Sequence, residues 1–114
     1  MRSIDHYKFG EMVIDGKSYH RDLIILPDKI IQNWRRKEGH RLILDDISDI
    51  PLSIIECLII GTGKFGMLKV DEKVISEMND KRIKCIVEKT VKAIEKYNSI
   101  IQSKIVAAAF HLTC

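Results

Sequence analysis

Ile105-Val106-Ala107-Ala108-Ala109-Phe110 is the longest uninterrupted apolar run in the chain. Six residues suit a strand, and apolar side chains on both of its faces predict a central position covered above and below. Two further short apolar runs, Ile83 to Val87 and Glu56 to Ile60, lie upstream. The segments between them change to helical spacing. Asp71 precedes Val74, Ile75 and Met78, and Thr90 precedes Val91, Ile94, Tyr97 and Ile101, with Lys92, Glu95, Lys96 and Gln102 turned to water. Both Asp71 and Thr90 are expected to cap the helices they precede. The result is a βαβαβ half whose right-handed crossovers make the strands parallel. Cys57, Cys85 and Cys114 recur at nearly thirty-residue spacing, about one strand plus helix plus connections, and are expected at corresponding points of the three strands.

The first third reads differently. Tyr7, Phe9, Met12 and Ile14 lead into Asp15-Gly16, a dipeptide that tolerates the positive φ of a two-residue hairpin turn. A strand through Tyr19 follows, then Leu23 to Leu26, a Pro27-Asp28 turn and a strand from Lys29 to Trp34. This antiparallel meander is expected to extend or cover the parallel sheet. Asp45 to Pro51 predicts one helical turn, capped by Asp45 and stopped by Pro51.

The whole chain has 114 residues, 46% of them apolar and 31% charged. Those proportions exclude a disordered, collagenous or disulfide-scaffold protein, and the length suits one domain with one core. The longest apolar run is a third of what a bilayer crossing needs, and the N-terminus carries no export signal, so a soluble cytoplasmic protein is expected. Three cysteines without a Cys-x-x-Cys pair suit reduced thiols, with no metal site and no cofactor expected.

Gly61-Thr62-Gly63-Lys64-Phe65-Gly66 follows a predicted strand and spells a dinucleotide fingerprint, with Glu88 placed where a ribose-binding acid belongs. Met67-Leu68-Lys69-Val70 intervenes before the first helix cap, so the glycines do not open a helix whose N–H groups could hold a pyrophosphate. The turn suits a smaller anion better, with Lys64 and Lys69 beside it. Trp34-Arg35-Arg36-Lys37-Glu38-Gly39-His40-Arg41 is the second candidate, an aromatic among arginines. Without a second basic cluster or aromatic platform, nucleic acid is not the expected partner. This loop alone accounts for the net charge of +3: Arg35, Arg36, Lys37 and Arg41 stand against Glu38, and 15 basic and 15 acidic residues remain elsewhere. His111-Leu112-Thr113-Cys114 puts a histidine near a thiol, but the extended chain points them apart. Standard hydrolase, Walker and zinc-protease signatures are absent, which weighs against an enzyme.

Phe9-Gly10 with Asp15-Gly16, the Asn33 to His40 block, Gly61-Thr62-Gly63 and the terminal His111-Leu112-Thr113-Cys114, in that order and spacing, resemble the domain of unknown function family 498. Its eukaryotic relatives include the adipogenesis-associated domain protein and mitochondrial complex I assembly factor 3. The resemblance implies a single three-layer α/β domain with a mixed central sheet, and an interaction or assembly role with no established reaction. Its mitochondrial role does not carry over, because no presequence is visible. It places a candidate binding surface on Trp34, Arg36, Gly39 and His40, on Gly61 and Gly63, and on His111 and Cys114, to which the turn itself adds Thr62 and Lys64. Two functions follow as expectations. One is a non-enzymatic module whose protein partner docks on an exposed Trp34 and its arginines. The other is a binder of, or enzyme acting on, a small phosphate or carboxylate ligand held by the Gly61–Gly66 turn, with Arg36 or His40 assisting.

Overall fold

The computed structural model describes residues 2–114. Its strands are β1 (Ile4–Lys8), β2 (Glu11–Ile14), β3 (Lys17–Tyr19), β4 (Leu23–Ile25), β5 (Ile30–Ile31) and β6 (Arg41–Leu42), followed by a 3-10 turn (Leu44–Ile47). Then come β7 (Cys57–Thr62), β8 (Lys69–Val70), α1 (Glu72–Asp80), β9 (Lys84–Glu88), α2 (Thr90–Ile100) and β10 (Val106–His111). The apolar run is indeed central. The main sheet has the order β5-β4-β10-β7-β9, with β10 parallel to β7, β7 parallel to β9, and β4 and β5 added antiparallel.

Alternation along these strands builds two cores. Leu58, Ile60, Ala107, Ala109 and Ile24 face α1, Trp34 and Ile47, whereas Cys57, Ile59, Val106, Ala108, Phe110, Leu23 and Ile25 face α2 and the meander. Such alternation is what the two-residue strand period dictates. Three alanines in β10 let both covering layers approach closely, while Tyr97 and Phe110 fill the space on the α2 side edge to face at 6.1 Å. The meander β1-β2-β3 is a separate antiparallel sheet lying on that side. Asp15 and Gly16 have φ of 51° and 79° between Ile14 and Lys17, the expected two-residue turn.

Several local expectations are corrected. The strand expected from Lys29 to Trp34 stops at Ile31, because Asn33 takes φ 55° and Trp34 N–H donates to Asp22 O at 2.8 Å. Cys57 pairs across the sheet with Val106 and Lys84, and Cys114 lies beyond β10, so the cysteine spacing does not mark one level of the sheet. Asp45 caps nothing; the Asp46 carboxylate accepts from Ile43 N–H at 2.9 Å. Asp71 occupies the position before α1 without a side-chain cap, and its carboxylate lies 3.4 Å from Arg41. Thr90 is inside α2, and its hydroxyl serves the candidate site instead.

Candidate functional site

Pairing Phe110 with Leu23 across β10 and β4 sets the next residues, His111 and Asp22, side by side at the carboxyl ends of the parallel strands. Ligand crevices in α/β sheets form at such ends. Asp22 Oδ1 accepts from Leu112 N–H at 2.8 Å. Its Oδ2 accepts from His111 Nδ1 at 2.8 Å and from Arg36 Nη2 at 2.9 Å. A carboxylate on Nδ1 assigns the ring proton there, so the 3.3 Å approach of Arg36 Nη2 to the same nitrogen is a packing contact. The three side chains are only 5% (Arg36), 7% (His111) and 15% (Asp22) exposed.

Arg36 is held on every side. Its Nε and Nη2 donate to Gly39 O at 3.1 and 2.8 Å, and its guanidinium carbon stands 4.7 Å from the Trp34 ring centroid. The remaining guanidinium nitrogen, Nη1, is buried with no hydrogen-bond partner. Trp34 is fixed in turn, with its indole N–H donating to Asp46 O at 2.8 Å. Burial alone would raise the Asp22 carboxyl, but the hydrogen bonds from His111, Leu112 N–H and Arg36 outweigh it and hold the group below its ordinary value. Tyr7, whose hydroxyl donates to Leu112 O at 2.9 Å, is pushed up by burial and by the Asp22 charge. His111 Nε2 is buried without a partner, and the ring meets His40 edge-on at 5.8 Å.

The glycine loop lies on the other side of the last strand's end. A side chain at Gly61 would force its neighbours to shift, since a Cβ would stand 2.6 Å from Phe110 Cδ1 and 3.0 Å from Thr90 Oγ1. Gly63 N–H donates to Thr90 Oγ1 at 2.8 Å, and that hydroxyl donates to His111 O at 2.7 Å. Thr62 donates to Glu88 O at 3.2 Å. Lys64 N–H donates to Thr113 O at 2.7 Å, and the N–H groups of Phe65 and Met67 converge on Cys114 O at 3.3 and 3.0 Å. Helix α1 begins only at Glu72, after β8, so the glycines do not open the helix that follows them; the first residue of α2, Thr90, packs on the loop instead and its N–H donates to Gly63 O at 3.1 Å.

The candidate residues from distant parts of the chain therefore meet at one end of the sheet. Two expectations about them change. Trp34 is buried, 8% exposed, and belongs to the core rather than to a docking surface. The loop's positive charge is largely neutralised: Arg36 by Asp22, Lys37 by Asp45 at 3.0 Å, Arg41 by Glu38 at 3.2 Å and Asp71 at 3.4 Å. Unneutralised charge gathers instead on a cleft of about 530 Å³ walled by Arg21, Asp22, Asn33, Arg35, Arg36 and Thr113. Among the described residues, Arg21 and Arg35 have no carboxylate within 4 Å. Asp22 was missed from the sequence. Its one local signal is an acid between Arg21 and the apolar run Leu23–Leu26, where a carboxylate entering a core needs a cation.

A family model described as a protein of unknown function, DUF498/DUF598, matches residues 4–111. The chain belongs to the DUF498/DUF598 family. Solved structures with this fold include a conserved hypothetical protein, PH1505, from Pyrococcus horikoshii, 25% identical with a TM-score of 0.82 over 98% of this chain and 99% of that one. A protein described as an outer membrane protein of Bartonella henselae is also 25% identical, with a TM-score of 0.82 over 99% and 96% of the two chains. The Xanthomonas campestris protein XCC1710 shares the fold at 14% identity, with a TM-score of 0.79 over 98% of this chain and 85% of that one. Comparison with curated proteins finds no match. Among the described residues of this DUF498/DUF598 chain, no helix is long and apolar enough to cross a membrane.

Proposed function

We propose that the chain is a binding module for a small carboxylate- or phosphate-bearing ligand, taken up in the cleft beside Arg36. The observation that carries this reading is the pair of guanidinium groups, Arg21 and Arg35, that wall the cleft without carboxylate partners. Guanidinium groups bind such anions through paired, directional hydrogen bonds. Arg36, its charge already taken by Asp22, is held by Asp22, Gly39 and Trp34 and forms a fixed part of the cleft wall. The cleft's volume is in the range of small-ligand sites. Three free cysteines fit a reducing compartment and support a cytoplasmic address.

Thermal melting in sulfate, phosphate or citrate, against chloride at equal ionic strength, tests the proposal. A ligand at a hundred times its Kd stabilises by about 2.7 kcal/mol, a readily measured rise in Tm. Arg21→Ala with Arg35→Ala should remove that rise. If no anion exceeds chloride, the reading fails.

An interaction-module reading also has a specific support, now away from Trp34. Phe9 and Phe65 are 50% and 64% exposed with ring centroids 6.2 Å apart, and Met67 beside them is 48% exposed. Sedimentation across a concentration range, comparing wild type with Phe65→Ser, tests whether this patch drives association.

A further inference from the structure

The glycine loop presents converging N–H groups to oxygens, and in this structure the chain's own Thr113 and Cys114 supply them. The loop's shape depends on Gly63 at φ 101° and Gly66 at φ 72°. On Gly63 a Cβ would overlap the Cys114 backbone, so the missing side chain is the space in which that segment lies. Successive N–H groups in such a turn form a concavity suited to an anion. Lys64 is exposed there, and the Lys89 stem crosses Gly66 with Cε 3.3 Å from the Cβ position. Neither lysine has a carboxylate within 4 Å among the described residues.

A second observation points into the same space. His111 Cδ2, bonded to Nε2, stands 2.8 Å from the Gly63 Cβ position, and Nε2 is buried with no partner. Its other nitrogen is already committed to Asp22. Nε2 is thus the ring nitrogen left without a partner, bonded to the carbon that borders the space beside Gly63.

The segment over this space is tethered unevenly. Leu112 is fully buried and fixed by Asp22 Oδ1, Gly10 N–H and the Tyr7 hydroxyl. Thr113 and Cys114 are half-buried, and the hydrogen bonds that hold them are those from the loop N–H groups to their backbone oxygens. The boundary between firmly and lightly held chain falls between Leu112 and Thr113.

We propose that the Gly63–Met67 loop is a carboxylate-binding site, with the N–H groups of Lys64, Phe65 and Met67 as donors and Thr113–Cys114 as a strap that the carboxylate displaces. This site shares Thr113 with the wall of the arginine cleft, but its donors, the loop N–H groups, are not among the cleft's lining residues. The strap competes within the molecule, so the apparent affinity is the intrinsic one reduced by the fraction of molecules with the strap open.

The test is an amide NMR titration of the full chain with acetate, with chloride at equal ionic strength as control. Acetate should shift the Lys64, Phe65 and Met67 amides saturably, together with Thr113 and Cys114, and chloride should not. Thr113→Gly adds backbone freedom to the strap and removes no hydrogen bond of the site, so it should tighten apparent acetate binding about two- to fivefold. Gly63→Ala fills the space and should abolish the response. The proposal is overturned if the loop amides follow acetate and chloride alike, or if Thr113→Gly binds acetate no more tightly than wild type. A response confined to Arg21, Asn33 and Arg35 would overturn it too, while leaving the cleft reading intact.

Discussion

Replacing Asp22 by Asn keeps the side chain's shape and an oxygen for Leu112 N–H, yet removes the charge that Arg36 and His111 share. The amide has one oxygen, so it serves either Leu112 N–H or the Arg36 and His111 donors, and its NH2 faces the donors left over. Arg36 is then a guanidinium in a site 5% exposed, paired with no carboxylate. Breaking a buried pair from one side costs about 3–5 kcal/mol, far above the value of a surface ion pair. In a chain of this length each kcal/mol is about 4 °C, so Tm at neutral pH should fall by about 12 °C or more. Circular dichroism melts and urea unfolding measure it. Replacing both partners, with Asp22→Asn and Arg36→Met, removes the stranded charge and should cost less than the sum of the single changes by at least about 1 kcal/mol. The pH dependence has a definite sign. Because the native Asp22 carboxyl is held below its ordinary value, its stabilising contribution is complete above that value, about 3.9, and is lost as pH falls through the lower native one. The carboxyl's own share of the wild-type advantage over Asp22→Asn should thus be lost as pH falls below about 4. A loss under about 1 kcal/mol at pH 7, or strict additivity in the double variant, would refute the claim that this cluster is a coupled buried unit.

Three further outcomes follow from the same geometry. Thr90→Val leaves Gly63 N–H without an acceptor and His111 O without its side-chain donor, and should cost about 2–4 kcal/mol in urea unfolding. Gly61→Ala drives a methyl into Phe110 and Thr90 and should cost about 1–3 kcal/mol by the same assay, with no change in m-value. Cys85, pushed up to about 11 chiefly by burial, holds about a thousandth of its thiol as thiolate at pH 8, and burial also raises Cys57. Peptide mapping after iodoacetamide treatment at pH 8 should find both unmodified in the folded chain and both alkylated in urea.

What was legible in the sequence, and what was not, divides by the range of the interactions involved. The run Ile105–Phe110 marks the central strand because burial on both faces writes an apolar side chain at nearly every position, although the strand itself runs one residue later, from Val106 to His111, and leaves Ile105 exposed. Asp15-Gly16 was equally plain, since a two-residue turn needs positive φ at those residues and nowhere else nearby. The cysteines misled because their spacing reflects element lengths without fixing register, which is set by strand pairing. Thr90 has the composition of a helix cap, and only the arrival of Gly63 and His111 from other strands gives its hydroxyl a different use.

Charge is the sharpest case. Summed along the chain, the excess sits between Trp34 and Arg41, but ion pairing is settled in space. Asp22, Asp45 and Asp71 come to that loop from other segments and neutralise most of it. What remains exposed is Arg35, joined at the cleft by Arg21, a residue of a different segment that no local tally would link to it. The same reasoning explains why Asp22 was invisible as a site residue. Its partners lie 14, 89 and 90 positions away, and it entered the sequence as one acid among 16. The motifs that carry the family resemblance, distant along the chain, meet at one end of the sheet, and that convergence is non-local information that composition and periodicity discard.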